Sequence, residues 1–174
     1  VMDGADAVML SGETAIGKHP VKVIKIMFRI IQEVESKFEP LYLKETLPNK
    51  NQNRFITDSI CFNVCRLATK VTAKAIVTMT HSGYTAYKIS SQRPKASIYV
   101  FSSNTKLLST LSLVWGVSTF YYNKTISTDH TIADIKHFLK EKKLVLPNDL
   151  IINTASIPLV EGGKTNMLKL SYIE

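Results

Sequence analysis

Residues 80–85 read Thr-His-Ser-Gly-Tyr-Thr and bring hydroxyl groups and a glycine close together. The hydroxyls of Thr80, Ser82 and Thr85 can donate hydrogen bonds, and Gly83 allows the backbone to approach a bound oxyanion. A helix that starts here would add its unpaired N–H groups and its partial positive charge. This combination predicts a phosphate-binding turn. Ser, Gly and Thr also form ordinary turns between a strand and a helix, and that alternative stays open.

The segments around this turn are expected to hold it between a strand and a helix. Residues 75–80 are a short apolar run rich in β-branched side chains, which is typical of a buried strand, and residues 85–91 favour a helix. The same alternation continues along the chain. Further strands are predicted at 96–101, 117–122, 150–154 and 166–173, and further helices at 57–70, 105–114 and 129–143.

This alternation of strands and helices predicts an α/β fold. Apolar strands separated by helices indicate a mostly parallel open sheet of about five strands, covered by helices on both faces as an α/β/α sandwich. Residues 155–165 contain Pro158, Gly162 and Gly163 and no helical pattern. Because this connection is too short for a helical crossover, the last strand is expected to be antiparallel.

The carboxyl ends of the parallel strands are the expected place for a ligand. The turns after the strands that begin near residues 75, 96 and 150 point to one rim of the sheet. Residues 80–85 and 161–164 are therefore expected to face the same ligand. In the second segment, Gly162 and Gly163 would supply close-approaching backbone and Lys164 a cation.

The first 54 residues have a different organisation. Residues 7–10 favour a strand. A helix is expected from Pro20, which suits a first helical position, and its apolar residues recur at helical spacing through Phe38. Residues 39–54 are polar and contain two prolines, so they read as a linker.

The composition indicates which binding partners and which cellular compartment to expect. Lys and Arg number 22 against 14 Asp and Glu, which gives a net charge of +8 and favours an anionic partner. The lysines are scattered and no nucleic-acid motif is present, so we expect neither nucleic-acid nor membrane binding. Cys61 and Cys65 are expected to be buried thiols of a cytoplasmic protein. The histidines show no metal-binding spacing; they are His19, His81, His130 and His137.

Several longer motifs carry a resemblance to a known family. Residues 2–15 read MDGADAVMLSGETA, residues 17–20 read GKHP, and the turn at 80–85, SQRP at 91–94 and GGKTN at 162–166 follow in order. Together they resemble pyruvate kinase, from the end of its catalytic barrel through its C-terminal domain. The resemblance implies three parts: a remnant of the (β/α)8 barrel at 1–38 (its last strand and helix), a linker at 39–54, and a regulatory and assembly domain at 55–174.

The resemblance implies an enzyme that transfers a phosphoryl group from phosphoenolpyruvate to ADP, giving pyruvate and ATP, with Mg²⁺ and K⁺. In that family the main catalytic groups lie in earlier barrel strands, so this chain, which begins at Val1 rather than Met, is expected to be a fragment that is inactive alone and binds no metal. Ser11, Glu13 and Thr14 match positions at the periphery of the substrate pocket. Turn and helix-start roles remain an alternative for Glu13 and Thr14.

The resemblance also implies regulation and assembly. Regulated members hold a sugar-phosphate activator at the turn matching Thr80, His81, Ser82, Gly83 and Thr85, under an end loop matching 161–165. This sequence has Tyr84 and His81 where basic residues are common. It also shows no evident Trp and Arg for a second phosphate within residues 125–143, and its end loop lacks the Trp-Arg-Pro-Gly pattern of some relatives. A one-phosphate ligand is therefore expected rather than fructose bisphosphate. A homo-oligomer is expected, a tetramer for the intact enzyme and a dimer for the fragment. The segment at 5–10 is expected to pair with another chain, fold onto its own domain or form a swapped contact.

Two other classes of function remain open from the sequence. One is a free-standing phosphosugar or nucleotide sensor without catalytic activity, and the other is a purely structural domain that supplies oligomer contacts. A binding screen with phosphorylated ligands separates sensing from scaffolding.

Overall fold

The computed structural model describes residues 1–37, 48–51, 53–124, 127–157 and 163–174. Its internal contacts divide the chain into two units, Val1–Glu39 and Pro40–Glu174. Most of the linker predicted at 39–54 lies outside the described residues. Among the described helices, none combines the length and the apolar character needed to cross a membrane.

The first unit contains a short helix, α1 (Gly12–Ala15), and a long one, α2 (Pro20–Ser36). Pro20 occupies the start of α2, as expected, because its fixed φ suits a first turn and its missing N–H is not needed there. The helix is amphipathic, but its described side chains are exposed or half-buried.

The strand expected at residues 7–10 is absent from the structure. Val8 is 44% exposed and Met9 is 89% exposed, which contradicts the expectation that this segment packs onto its own chain. A strand requires a neighbour to satisfy its backbone N–H and C=O groups, and the described residues of this unit form no such neighbour. Pairing with another chain stays a prediction.

The second unit is an open α/β sheet. Its elements are α3 (Phe55–Lys70), β1 (Ala75–Met79), α4 (Tyr84–Ser91), β2 (Ser97–Ser102), α5 (Thr105–Leu111), β3 (Val117–Tyr121), α6 (Thr128–Glu141), β4 (Leu150–Ala155) and β5 (Met167–Tyr172). The strand order is β3-β2-β1-β4-β5. The first four strands are parallel, and β5 runs antiparallel to β4. The predicted fold class is therefore confirmed, including the antiparallel last strand.

Helices cover both faces of this sheet. On one face α3, α4 and α5 bury side chains such as Cys65, Ile89 and Leu111 against the strands. On the other face α6 buries Ile135 and Leu139. Burial of these apolar side chains, at about 25 cal/mol per Å² removed from water, is the main force that fixes the layers. Both cysteines are free and buried in α3, as expected.

Helix α5 is shorter than its sequence pattern. The apolar run predicts a helix over 105–114, but α5 ends at Leu111. The chain then turns through Gly116, whose φ is +68°, so that β3 can begin at Val117. Leu113 is left 69% exposed by this turn. The helix predicted from the apolar run was therefore three residues too long at its C-terminal end.

Candidate functional site

A cleft lies at the carboxyl ends of the central strands. The chain leaves β1 through α4 to β2 on one side, whereas β4 lies on the other side of β1. Such a reversal of strand order opens a crevice at the end of the sheet, where ligands of α/β proteins bind. The cleft has a volume of about 670 Å³. Its lining includes parts of the 80–85 turn, the end of β2 and the end loop, represented by Thr80, Ser82, Ser103, Gly163 and Lys164.

The shape of the 80–85 turn depends on Gly83. This residue has φ +81°, in the left-handed region that favours glycine. A Cβ at this position would lie 2.7 Å from Leu107 Cδ1. The Gly83 amide donates to Thr80 Oγ1 at 2.9 Å. Thr80 and Gly83 therefore hold the turn in place, and the Gly83 N–H is already used inside it.

The donors that remain at this turn lie at the start of α4. No side chain caps this helix, so the first-turn amides of Tyr84, Thr85 and Ala86 have no partner within it. Ser82 and His81 are exposed and line the cleft. The helix start, its partial positive charge and the Ser82 hydroxyl thus offer a place for an oxyanion.

Thr165 joins the end loop to the turn. Its hydroxyl lies 2.6 Å from that of Thr85, and its carbonyl accepts a hydrogen bond from Thr57 Oγ1 at 3.2 Å. All three residues are buried. The Thr85 hydroxyl, which was predicted to bind phosphate, is therefore already hydrogen-bonded to another residue of the protein. The sequence did not single out Thr165 or Thr57.

The predicted residues of the end loop are placed as follows. Gly163 and Lys164 line the same cleft as the turn, so the structure brings together the two segments that the sequence assigned to one rim. Lys164 Nζ donates to the Asn53 carbonyl at 2.8 Å, which ties the loop to the segment before α3. Gly162 lies outside the described residues.

An aromatic and charged cluster forms the side of the cleft next to α3. The Arg54 guanidinium carbon lies 3.9 Å from the centre of the Tyr84 ring. The Tyr84 hydroxyl donates to Asp58 Oδ1 at 2.8 Å. Desolvation, followed by the hydrogen bond to Asp58 and the charge of that carboxylate, raises the pKa of Tyr84 to about 12. The phenol is therefore protonated at neutral pH and acts as the donor in this bond.

Sequence reasoning missed several residues of the cleft. Ser102 and Ser103 could have been predicted from the sequence. They lie at the end of β2 and before α5 in the same strand–turn–helix pattern as the 80–85 turn. Arg54 and Tyr122 carried no local signal. They reach the cleft from the start of α3 and from the residue after β3, through the packing of the sheet.

The residues of the barrel-like motif lie in the first unit. Ser11 precedes α1, and its amide donates to Glu13 Oε2 at 3.1 Å. Thr14 Oγ1 donates to the Ser11 carbonyl at 3.1 Å. These contacts give Glu13 and Thr14 helix-start roles, which was the alternative left open for them. The role of Ser11, Glu13 and Thr14 at a substrate pocket stays a prediction.

The described residues do not form a metal site. In those parts of the chain, no group of three or more His, Cys, Asp or Glu side chains converges as metal ligands.

Comparison with known proteins decides the family. Residues 58–171 match the family model described as the pyruvate kinase alpha/beta domain. The chain is 35% identical over 175 residues to a pyruvate kinase from Clostridium acetobutylicum, covering 100% of this chain and 37% of that protein.

The chain belongs to the pyruvate kinase family.

Other relatives agree with this assignment. A pyruvate kinase from Geobacillus stearothermophilus is 37% identical over 173 residues, covering 99% of this chain and 29% of that protein. The crystal structure of a pyruvate kinase from Cryptosporidium parvum matches with a TM-score of 0.84 and 28% identity, covering 99% of this chain and 34% of that chain. The resemblance stated from the motifs is confirmed. The chain spans about a third of the length of the relatives it matches.

Proposed function

We propose that this chain is the effector-binding and assembly region of a pyruvate kinase, an enzyme that converts phosphoenolpyruvate and ADP to pyruvate and ATP. Its own task is to bind one phosphate group of a small effector at the 80–85 turn. The family match over residues 58–171 supports the first statement. The geometry of the turn supports the second.

One observation carries the phosphate-binding proposal. The start of α4 has no side-chain cap and lies in the wall of a cleft at the reversal point of the sheet. An oxyanion there would accept hydrogen bonds from the first-turn amides and from Ser82, and it would lie at the positive end of the helix dipole. Carboxylates are missing from the residues lining this cleft, so no described side chain of the lining competes for these donors.

The shape of the cleft favours a phosphorylated small molecule. The turn supplies donors for one phosphate, while Met79, Phe101 and Tyr122 provide apolar surface farther along the cleft. Such surface suits the carbon skeleton of a ligand. Lys164 lines the same cleft and donates to the Asn53 carbonyl, which occupies one of the three N–H donors of its ammonium group. A single phosphate on a compact organic group is the ligand that fits these features.

Phosphoryl transfer itself is assigned to the intact enzyme and not to this chain alone. Transfer requires metal ions and charged groups that clamp the phosphoryl oxygens, and the family resemblance places those groups in barrel strands that precede these residues. The chain covers 37% of its relative from Clostridium acetobutylicum. A coupled assay for pyruvate is expected to give no turnover above background. Clear turnover would overturn this part of the proposal.

Assembly is the second task proposed for this region. Strand β5 lies at the edge of the sheet, and Leu170 and Tyr172 on it are 41% and 65% exposed. An edge strand carries backbone groups without partners, which can pair with a second chain. We expect a homodimer of this chain and a larger oligomer of the intact enzyme. Light scattering after size-exclusion chromatography measures the mass directly.

Calorimetric titration tests the binding proposal. The ligands are glucose 6-phosphate, AMP, ATP and fructose bisphosphate, applied to the wild-type chain and to Ser82→Asp. We expect at least one phosphorylated ligand to bind the wild type, and Ser82→Asp to abolish that binding because its carboxylate repels the phosphate. The matched control is Ser109→Asp on the exposed side of α5. Binding unchanged in Ser82→Asp, or binding of none of the ligands, contradicts the proposal.

A further inference from the structure

The 80–85 turn lacks a permanent positive charge. Its only basic side chain is that of His81, and an imidazole, unlike a guanidinium, does not carry a permanent charge. Phosphate monoesters carry between one and two negative charges at that pH. Binding sites for such groups commonly include an arginine, whose forked N–H donors match two phosphate oxygens. A cation from another segment would therefore complete this turn.

Arg54 lies where such a cation is needed. It is the residue immediately before α3, it is exposed, and it lines the same cleft as Ser82 and Thr85. Its guanidinium carbon lies 3.9 Å from the centre of the Tyr84 ring, and Tyr84 is the first residue of α4. Among the ion pairs formed by the described residues, none involves Arg54. Its guanidinium therefore lies in the wall of the cleft, beside the first residue of α4.

Tyr84 holds this arginine in position. The ring face supplies a cation–π contact, and the hydroxyl donates to Asp58 at 2.8 Å. Asp58 lies one turn after Arg54 in the same segment, so α3 contacts Tyr84 at both its ring and its hydroxyl. The Asp58 carboxylate also faces Lys88 Nζ at 4.0 Å. Lys88 offsets part of the negative charge of Asp58. The Asp58 carboxylate therefore competes less with a bound anion for Arg54.

We propose that Arg54 is the cationic anchor for the phosphate bound at the 80–85 turn, and that Tyr84 is the platform that orients it. This inference rests on the proposed function and adds its charged recognition group. The ligand class is an anion with at least two oxygens that a guanidinium can bind side by side, together with the amides at the start of α4.

Titration with inorganic phosphate at constant ionic strength tests this role. The variants are Arg54→Ala, Arg54→Lys and the control Arg66→Ala. Arg66 lies within α3, the helix that Arg54 precedes, and its guanidinium carbon is 5.4 Å from the centre of the Phe62 ring. It does not line the cleft. We expect Arg54→Ala to raise the Kd for phosphate about tenfold or more, in line with loss of charge-assisted hydrogen bonds. Arg54→Lys should recover part of the affinity, and Arg66→Ala should bind as the wild type does.

A second measurement distinguishes direct contact of Arg54 with phosphate from an indirect role in supporting the turn. The Nε–Hε signal of Arg54 in a ¹H–¹⁵N spectrum should shift with the same saturation curve as the amides of the turn. A supporting arginine that never touches the anion would not follow that curve. Tyr84→Leu, which removes the platform, should weaken phosphate binding, whereas Tyr84→Phe keeps the ring and should weaken it less.

The outcomes distinguish this inference from the function on which it rests. If the wild type binds phosphate at the turn and Arg54→Ala binds it equally well, the anchor role is wrong and the proposed function stands. If Arg54→Ala and Arg66→Ala weaken phosphate binding equally, the effect is one of general charge, and the anchor role of Arg54 is also wrong. If the wild type binds no phosphate at the turn, both statements fall.

Discussion

The hydroxyl oxygens of Thr85 and Thr165 lie 2.6 Å apart in the interior of the second unit. The two residues are 3% and 6% exposed, and they join the start of α4 to the end loop. Thr57 adds a third segment, because its hydroxyl donates to the Thr165 carbonyl. This contact therefore fixes the distance between the two walls of the cleft.

Replacing Thr165 by Val should destabilise the second unit by about 1–3 kcal/mol, because the buried Thr85 hydroxyl would lose its partner. Val keeps the shape of Thr, so packing changes little. The free energy of unfolding in urea measures the loss. The Thr85→Val/Thr165→Val double variant should lose less than the sum of the single variants, since the two hydroxyls interact. Strictly additive losses would contradict the pairing. The control is Thr110→Val at an exposed position of α5, which should change the free energy of unfolding little.

Replacing Gly83 by Ala should destabilise the chain by about 1–3 kcal/mol, because an L side chain is strained at a positive φ. Gly83 has φ +81°, and its added Cβ would also lie 2.7 Å from Leu107 Cδ1. Thermal unfolding monitored by circular dichroism reports the change. Adding Leu107→Ala removes the clash but not the backbone strain, so the double variant should stay destabilised.

The control for this substitution is Gly12→Ala. No atom outside its immediate neighbours lies within 4 Å of a Cβ built there, and the position begins α1. Its effect on stability should be small. Equal effects of Gly12→Ala and Gly83→Ala would show that the turn does not require its glycine.

Tyr84 should titrate near pH 12, because desolvation and the bond to Asp58 raise its pKa to about 12. Since the folded pKa lies above the ordinary value of about 10, the protonated phenol stabilises the folded chain. That contribution is complete below about pH 10 and is lost as the pH rises toward the folded pKa. Asp58→Asn should lower this pKa. The absorbance difference between wild type and Tyr84→Phe during an alkaline titration isolates the residue. Titration at about pH 10 in the wild type would contradict the Asp58 bond.

Much of the fold could be predicted because local patterns and tertiary packing agree in the second unit. Residues 75–79 are mostly apolar and are buried or half-buried, and β1 lies between two parallel neighbours. The short connection before β5 left only an antiparallel pairing. The strand expected at 7–10 failed for the opposite reason. Its residues suit a strand, but the described part of its unit supplies no neighbour for its backbone.

The site could be predicted only where its residues share a local pattern. Ser82 and Gly83 lie between a strand and a helix, so their placement followed from the strand direction. Arg54 and Thr165 could not be found in this way. Arg54 reaches the cleft from the start of α3, and Thr165 meets Thr85 from 80 positions away in the chain. Such contacts depend on how helices and loops pack, which local spacing does not encode.

NMR mapping shows directly whether phosphate binds at the 80–85 turn. The ¹⁵N-labelled chain is titrated with inorganic phosphate, and sodium chloride of equal ionic strength is the control. The proposed phosphate site predicts saturable shifts of the Ser82, Tyr84 and Thr85 amides with phosphate and not with chloride. Absence of such shifts, or shifts of equal size among the scattered surface lysines, would contradict it.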